Sequence, residues 1–116
     1  MPPLNVKDGA GADIVLFAPR SIISLSGTIT VGGTPQDLIA ASSAYDYVEL
    51  NNPGTATESL FFNDTGTPCT NNPNVDTELP PGGTYIWAAV GTVPVPTAAI
   101  SIGAVTTGHP FRAKRV

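Results

Sequence analysis

The chain has 116 residues, enough for one hydrophobic core and too few for two. Aspartate and glutamate outnumber lysine and arginine by 9 to 5, which argues against a phosphate-binding footprint and so against a nucleic-acid partner. Charged residues make up only 12 % of the chain, while 12 glycines and 12 prolines call for many tight turns and exclude a fold built on long helices.

Residues 4–18, LNVKDGAGADIVLFA, read as a short strand, a glycine turn around Asp8-Gly9-Ala10-Gly11 and a second strand. Pro2 and Pro3 ahead of it are expected to be extended and mobile. SGTITV at 26–31 alternates small polar with apolar residues, and Gly32-Gly33-Thr34-Pro35 is expected to turn it into a hairpin with QDLIAA.

Over 42–51 the alternation sets Tyr45, Tyr47 and Glu49 on one face and Asp46, Val48 and Leu50 on the other. One face is expected in the core, with the aromatics on a partly covered side. Asn52-Pro53-Gly54 ends this strand, because proline removes a donor and glycine permits positive φ. SLFFN at 59–63 is expected to be its hairpin partner, with Leu60 and Phe62 on one face.

DTGTPCTNNPNVD at 64–76 is a loop by composition, long enough to serve in contacts. LPPGG at 79–83 turns into TYIWAA at 84–89, a strand carrying Trp87. VGTVPVP at 90–96 is extended and broken by proline, and 100–105 with 111–113 supply the last strands. No segment holds a helical period over ten positions. The expected fold is all-β: one β-sandwich, jelly-roll-like, of about eight to ten short strands. Residues 1–18 would form an N-terminal arm and first hairpin, and 19–116 the sandwich.

Catalytic chemistry is scarce. Cys69 is the only cysteine and His109 the only histidine, so no intramolecular disulfide or cysteine zinc site can form, and no metal or cofactor is expected. His109 in TTGHPF reads as a loop histidine, and Cys69 as a small, partly buried loop thiol. LFFNDTG resembles the aspartic-protease signature, in which close carboxylates from two copies share a proton. That family places its aspartate early and follows it with a glycine-rich flap, whereas Asp64 lies past the midpoint and precedes a proline- and asparagine-rich loop. Asp64-Thr65-Gly66 is better read as a strand-ending turn, the aspartate bonding to backbone and Gly66 supplying positive φ.

From Ser21 to Phe111 there is no lysine or arginine, whereas Arg112, Lys114 and Arg115 make the C-terminus basic. Those residues are read as a solvated tail or, alternatively, as a tail crossing to an acidic neighbour. MPPLNVKDG lacks the features of a signal peptide and no apolar run approaches the ~20 residues of a membrane span, so synthesis in the cytoplasm and no membrane partner are expected.

YVELNNPG, SLFFNDTG, LPPGGTYIW and AAISIGAVTTGHPFRA, in that order, are similar to small β-structured virion proteins of tailed bacteriophages, and VKDGAGADIVL looks like the opening of such proteins. The resemblance covers most of the chain through turn and strand patterns, and brings no catalytic residues with it. It implies a structural, non-enzymatic role. The leading expectation is a capsid decoration (cement) protein on the outer surface of the virion. It would bind the major capsid protein and copies of itself, often as a homotrimer. The alternative is a tail, baseplate or head-fibre accessory touching a host surface or carbohydrate through Trp87 or the 64–78 loop. The expected contact residues are Pro2, Pro3, Leu4 and Val6 of the arm, Tyr45, Tyr47, Tyr85 and Trp87 as a mixture of core and interface, and Arg112, Lys114 and Arg115.

Overall fold

The computed structural model describes residues 21–42 and 45–116, together with the strands 3–7 and 13–17 as backbone. Eleven strands form: β1 (Pro3–Lys7), β2 (Asp13–Phe17), β3 (Ile23–Ser24), β4 (Gly27–Thr28), β5 (Gln36–Ile39), β6 (Tyr47–Asn51), β7 (Leu60–Asn63), β8 (Thr77–Leu79), β9 (Thr84–Ala88), β10 (Ile100–Gly103) and β11 (Pro110–Arg115). There is no helix among the described residues.

β1 and β2 pair with each other and belong to no other sheet. The expected arm strands are therefore present; the turn at 8–11 and Pro2 lie outside the described residues. The remaining strands make two antiparallel sheets, ordered β3–β11–β6–β9 with β4 also on β11, and β5–β10–β7–β8. Because β3 and β4 both pair with β11, they act as one interrupted strand. From there the chain changes sheet at every connection but one, β7 to β8. This alternation is the double Greek-key order of a jelly roll.

Alternation fixes which side of β6 is buried, whereas β7 and β10 are buried throughout. Val48 and Leu50 of β6 are fully buried while Tyr47, Glu49 and Asn51 between them are half-buried. Val48, Leu50, Trp87, Phe111 and Ala113 line one sheet's inner face. They meet Leu38, Leu60, Phe62, Leu79, Ile100 and Ile102 from the other sheet. Phe62, Tyr85 and Trp87 form an aromatic trio across the layers, with ring centroids 4.7–5.0 Å apart at tilted or edge-on angles, the arrangement that ring quadrupoles favour.

The two hairpins expected within the sandwich are replaced by crossings between sheets. β5 pairs with β10 rather than with the 26–31 segment, and β7 pairs with β10 and β8 rather than with β6. The physical reason is burial: in opposite layers the Val48–Leu50 row and the Leu60–Phe62 row cover each other, which one sheet could not achieve. The first crossing is tied by Gln36, whose Oε1 accepts Thr30 N–H at 2.8 Å and whose Nε2 donates to Thr28 O at 3.3 Å. The basic C-terminus is likewise no free tail. It is most of β11, central in its sheet, and the ladder runs to the last residue through Val116 N–H on Tyr47 O at 2.9 Å.

Candidate functional site

At one end of the sandwich three loops meet on a single side chain. Asn52, fully buried just past β6, donates through Nδ2 to Glu58 O at 3.0 Å and to Leu79 O at 2.9 Å. Two carbonyls facing Nδ2 fix the amide orientation, so its Oδ1 faces His109 Nε2, 2.9 Å away, and the imidazole donates there. On the ring's other side Nδ1 stands 3.2 Å from Glu58 Oε1, a contact completed by one proton held by either partner. Thr106 secures Glu58 further, donating its N–H to Oε1 and its hydroxyl to Oε2, each at 3.1 Å.

Backbone bonds reinforce the junction: Asn52 N–H donates to Gly83 O at 2.9 Å and Gly82 N–H to Asn52 O at 2.7 Å. Gly82 sits at φ +83°, a conformation open to glycine at little cost. The NNP, LPPGG and GHPF stretches, far apart in sequence, thus converge on one buried amide. His109 does lie in the loop between β10 and β11, but it is buried there, because both ring nitrogens have partners that only the fold assembles. A pocket of about 260 Å³ opens beside the junction, lined by Thr55, Thr57, Glu58, Thr106, Thr107 and His109.

The 64–76 loop is pinned from within. Buried Asp76 accepts Thr70 N–H at 2.8 Å, Thr70 hydroxyl at 2.9 Å, Asn72 N–H at 3.1 Å and Asn63 Nδ2 at 3.2 Å. Burial opposes ionisation of its carboxyl, but these bonds together outweigh it and hold the group below the usual aspartate value. Asn71, at φ 57°, packs against Gly103, where any Cβ would collide with Asn71 Oδ1. Cys69 N–H donates to Ser101 Oγ at 2.9 Å, and burial pushes the Cys69 thiol up to about 11, which makes it a poor nucleophile.

Asp64 plays a different part from the one read in the sequence. Its Oδ2 accepts the Trp87 indole N–H at 2.9 Å. The turn is closed instead by Asn63 Oδ1, which takes Thr65 N–H at 3.0 Å and the Thr65 hydroxyl at 2.6 Å; Gly66 does carry positive φ, +86°. The carboxylate that would have to face a second copy is occupied with the core tryptophan of its own chain.

The expected contact residues separate into groups. Trp87 is fully buried and offers no ring face to solvent, while Tyr85 is half-buried against the core. Tyr45 is partly buried and packs against the core, and Tyr47 is half-buried on β6. Arg115 stacks with its guanidinium carbon 4.6 Å from the Tyr45 ring centroid. Tyr47 donates its hydroxyl to Glu49 Oε1 at 2.8 Å, and Glu49 Oε2 pairs with Lys114 Nζ at 3.6 Å. Desolvation first, then the Glu49 carboxylate, raises the Tyr47 phenol above its ordinary value. Arg112 is exposed beside a groove of about 320 Å³ that also includes Lys114, Glu49 and Ile22. Pro3, Leu4 and Val6 lie on β1, described as backbone; Pro2 is outside the described residues.

Sequence reasoning missed a different set of surface residues: Ile22, Val31, Val75, Ile86, Val90 and Val105 are all large apolar side chains exposed by 45 % or more. Val31, Val75, Val90 and Val105 are single aliphatic residues in turn-rich stretches, which gave no periodic signal to find them, and Ile86 alternates with Tyr85 and Trp87 in β9 without marking which face is outer. Comparison with protein-family models, with curated proteins and with solved structures gives no significant match for this chain.

Proposed function

We propose that this chain is a structural virion protein of a tailed bacteriophage, and specifically a capsid decoration protein that binds the outer surface of the major capsid protein lattice and stabilises the head. The observation that carries the reading is the junction at Asn52. The turn motifs behind the resemblance to phage virion proteins, NNP, LPPGG and GHPF, are the segments whose backbone and side chains lock the two sheets together. That these stretches belong to the folding framework of the chain supports the reading. Jelly rolls recur in viral shells as well as in lectins, so fold alone does not select the role.

The surface favours adhesion. A domain with few charges carries aliphatic side chains such as Val90 and Val105, 97 % and 67 % exposed, on several loops. Burial of about 800 Å² per partner is ordinary for a stable interface, and such residues supply its apolar part. The pinned 64–76 loop, with Val75 exposed by 59 %, supports the second reading of a tail, baseplate or fibre accessory. Immunogold labelling of purified particles tests both. Label spread over the head is expected; label confined to the tail or one vertex favours the accessory reading, and no label on particles contradicts both.

A further inference from the structure

We propose that the β1–β2 hairpin of one copy of this chain adds to the open edge of β9 in a second copy, so that copies associate by exchanging strands. The direction of the β9 peptide groups defines that edge. Asn52 N–H donates to Gly83 O at 2.9 Å and Ala89 N–H to Asp46 O at 2.8 Å, so the odd positions from 83 to 89 turn towards β6. Peptide direction alternates along a strand, so Thr84, Ile86 and Ala88 turn the other way. Ala88 N–H is taken there by Val93 O at 2.8 Å. Pro94 and Pro96 have no N–H to continue such pairing. Among the described residues no strand lies beyond β9, which leaves the N–H and C=O groups of Thr84 and Ile86 open to an incoming strand.

β9 is also the edge best suited to a partner. β3 and β4 have two residues each, β8 three and β5 four, with exposed Asp37 in β5; β9 has five and no charge or proline. Edge strands that must stay single normally carry such guards. Ile86, 45 % exposed, adds an apolar contact at its centre.

The occupant follows from β1 and β2. They too have five residues each, and their register sets Leu4 opposite Leu16 and Val6 opposite Ile14, yet they join neither sheet. A two-stranded hairpin is marginal in water and gains stability from a third strand. Its own β9 is at the limit of its reach. β3, where the link from the hairpin ends, lies at the opposite edge of the sheet. A strand added beyond β9 would sit about 19 Å from β3, at about 4.8 Å per spacing. From Phe17 to Ile23 the link spans about 20 Å fully extended, with no slack to pass over the side chains of the sheet face. A second copy has no such limit. The head-to-tail contact closes into a ring or continues as a chain. The inference concerns contact between copies of this chain and not the capsid partner of the proposed function, so loss of particle binding would leave it standing.

The test is sedimentation of the full chain over a concentration series, with two full-length variants: Ile86→Pro, which removes an outward N–H that β6 does not use, and Val6→Pro/Val15→Pro, which breaks the hairpin. Wild type is expected to associate. Each variant alone should be monomeric with native Trp87 emission, and an equimolar mixture should form one-to-one dimers, since one supplies the edge and the other the hairpin. If Ile86→Pro does not fold, Ile86→Lys keeps the backbone and should weaken association at least tenfold. A monomeric wild type, variants as associated as wild type, or a mixture that fails to pair would overturn the proposal.

Discussion

Replacing Asn52 by alanine strips the junction of two donors and one acceptor. Glu58 O and Leu79 O lose their partners, and so does His109 Nε2. Orphaning a buried polar group costs about 1–3 kcal/mol, so three of them set a ceiling of roughly 9 kcal/mol. Water entering from the adjoining pocket of about 260 Å³ can serve Glu58 O and His109, which brings the expected loss down to about 3 kcal/mol. Against a total stability of about 5–15 kcal/mol that is a large fraction. Urea unfolding followed by Trp87 emission reads it directly, because this single tryptophan is fully buried. The midpoint should fall with the slope unchanged. Asn52→Asp keeps the size and the His109 contact but sets oxygen against two carbonyls, and should be no more stable than the alanine variant. A loss below about 1 kcal/mol for Asn52→Ala would refute the idea that this amide locks the sheets.

The Asp76 carboxyl is held below its ordinary value in the fold, so its contribution is present above the unfolded aspartate pKa, about 3.9, and is lost as pH falls further. Asp76→Asn should therefore be less stable than wild type near pH 7, by about 1–3 kcal/mol, with the gap narrowing in acid denaturation curves below about pH 4. Cys69 should resist a thiol reagent at pH 8 in the native protein and react fully in denaturant, since burial and a thiol pushed up to about 11 leave almost no thiolate. Asp64→Asn keeps an oxygen for the Trp87 indole and should leave folding and particle binding intact; a peptidase activity lost in this variant would instead support the protease reading.

Strand identity was legible where alternation was strong. Tyr47 to Asn51 announces its inner and outer faces, and Pro53-Gly54 announces its end. Partner choice was not. NNPGTAT has the composition of a hairpin loop, but whether it returns along one sheet or crosses to the other depends on two apolar rows covering each other, a tertiary fact. Ile23-Ser24 is too short to produce a period, and of the alternating SGTITV only Gly27-Thr28 becomes strand; both pieces pair with β11. The Asn52–Glu58–His109 junction was hidden because its members come from separate loops and have no local pattern. The one available signal was the clustering of Asn, Pro and Gly at 52–54 and 80–83, read correctly as turns without showing that the turns touch. Arg115 and Lys114 looked like tail residues on charge alone; the alternation of Phe111 and Ala113 with Arg112 and Lys114 was the clue to a strand.

The decisive measurement is averaged imaging of purified virions at a resolution that resolves strands. A jelly roll of this chain repeated over the outer surface of the head, at symmetric positions on the capsid lattice, is the predicted result. Particles complete without it, with the chain found only free in the lysate, would contradict the account.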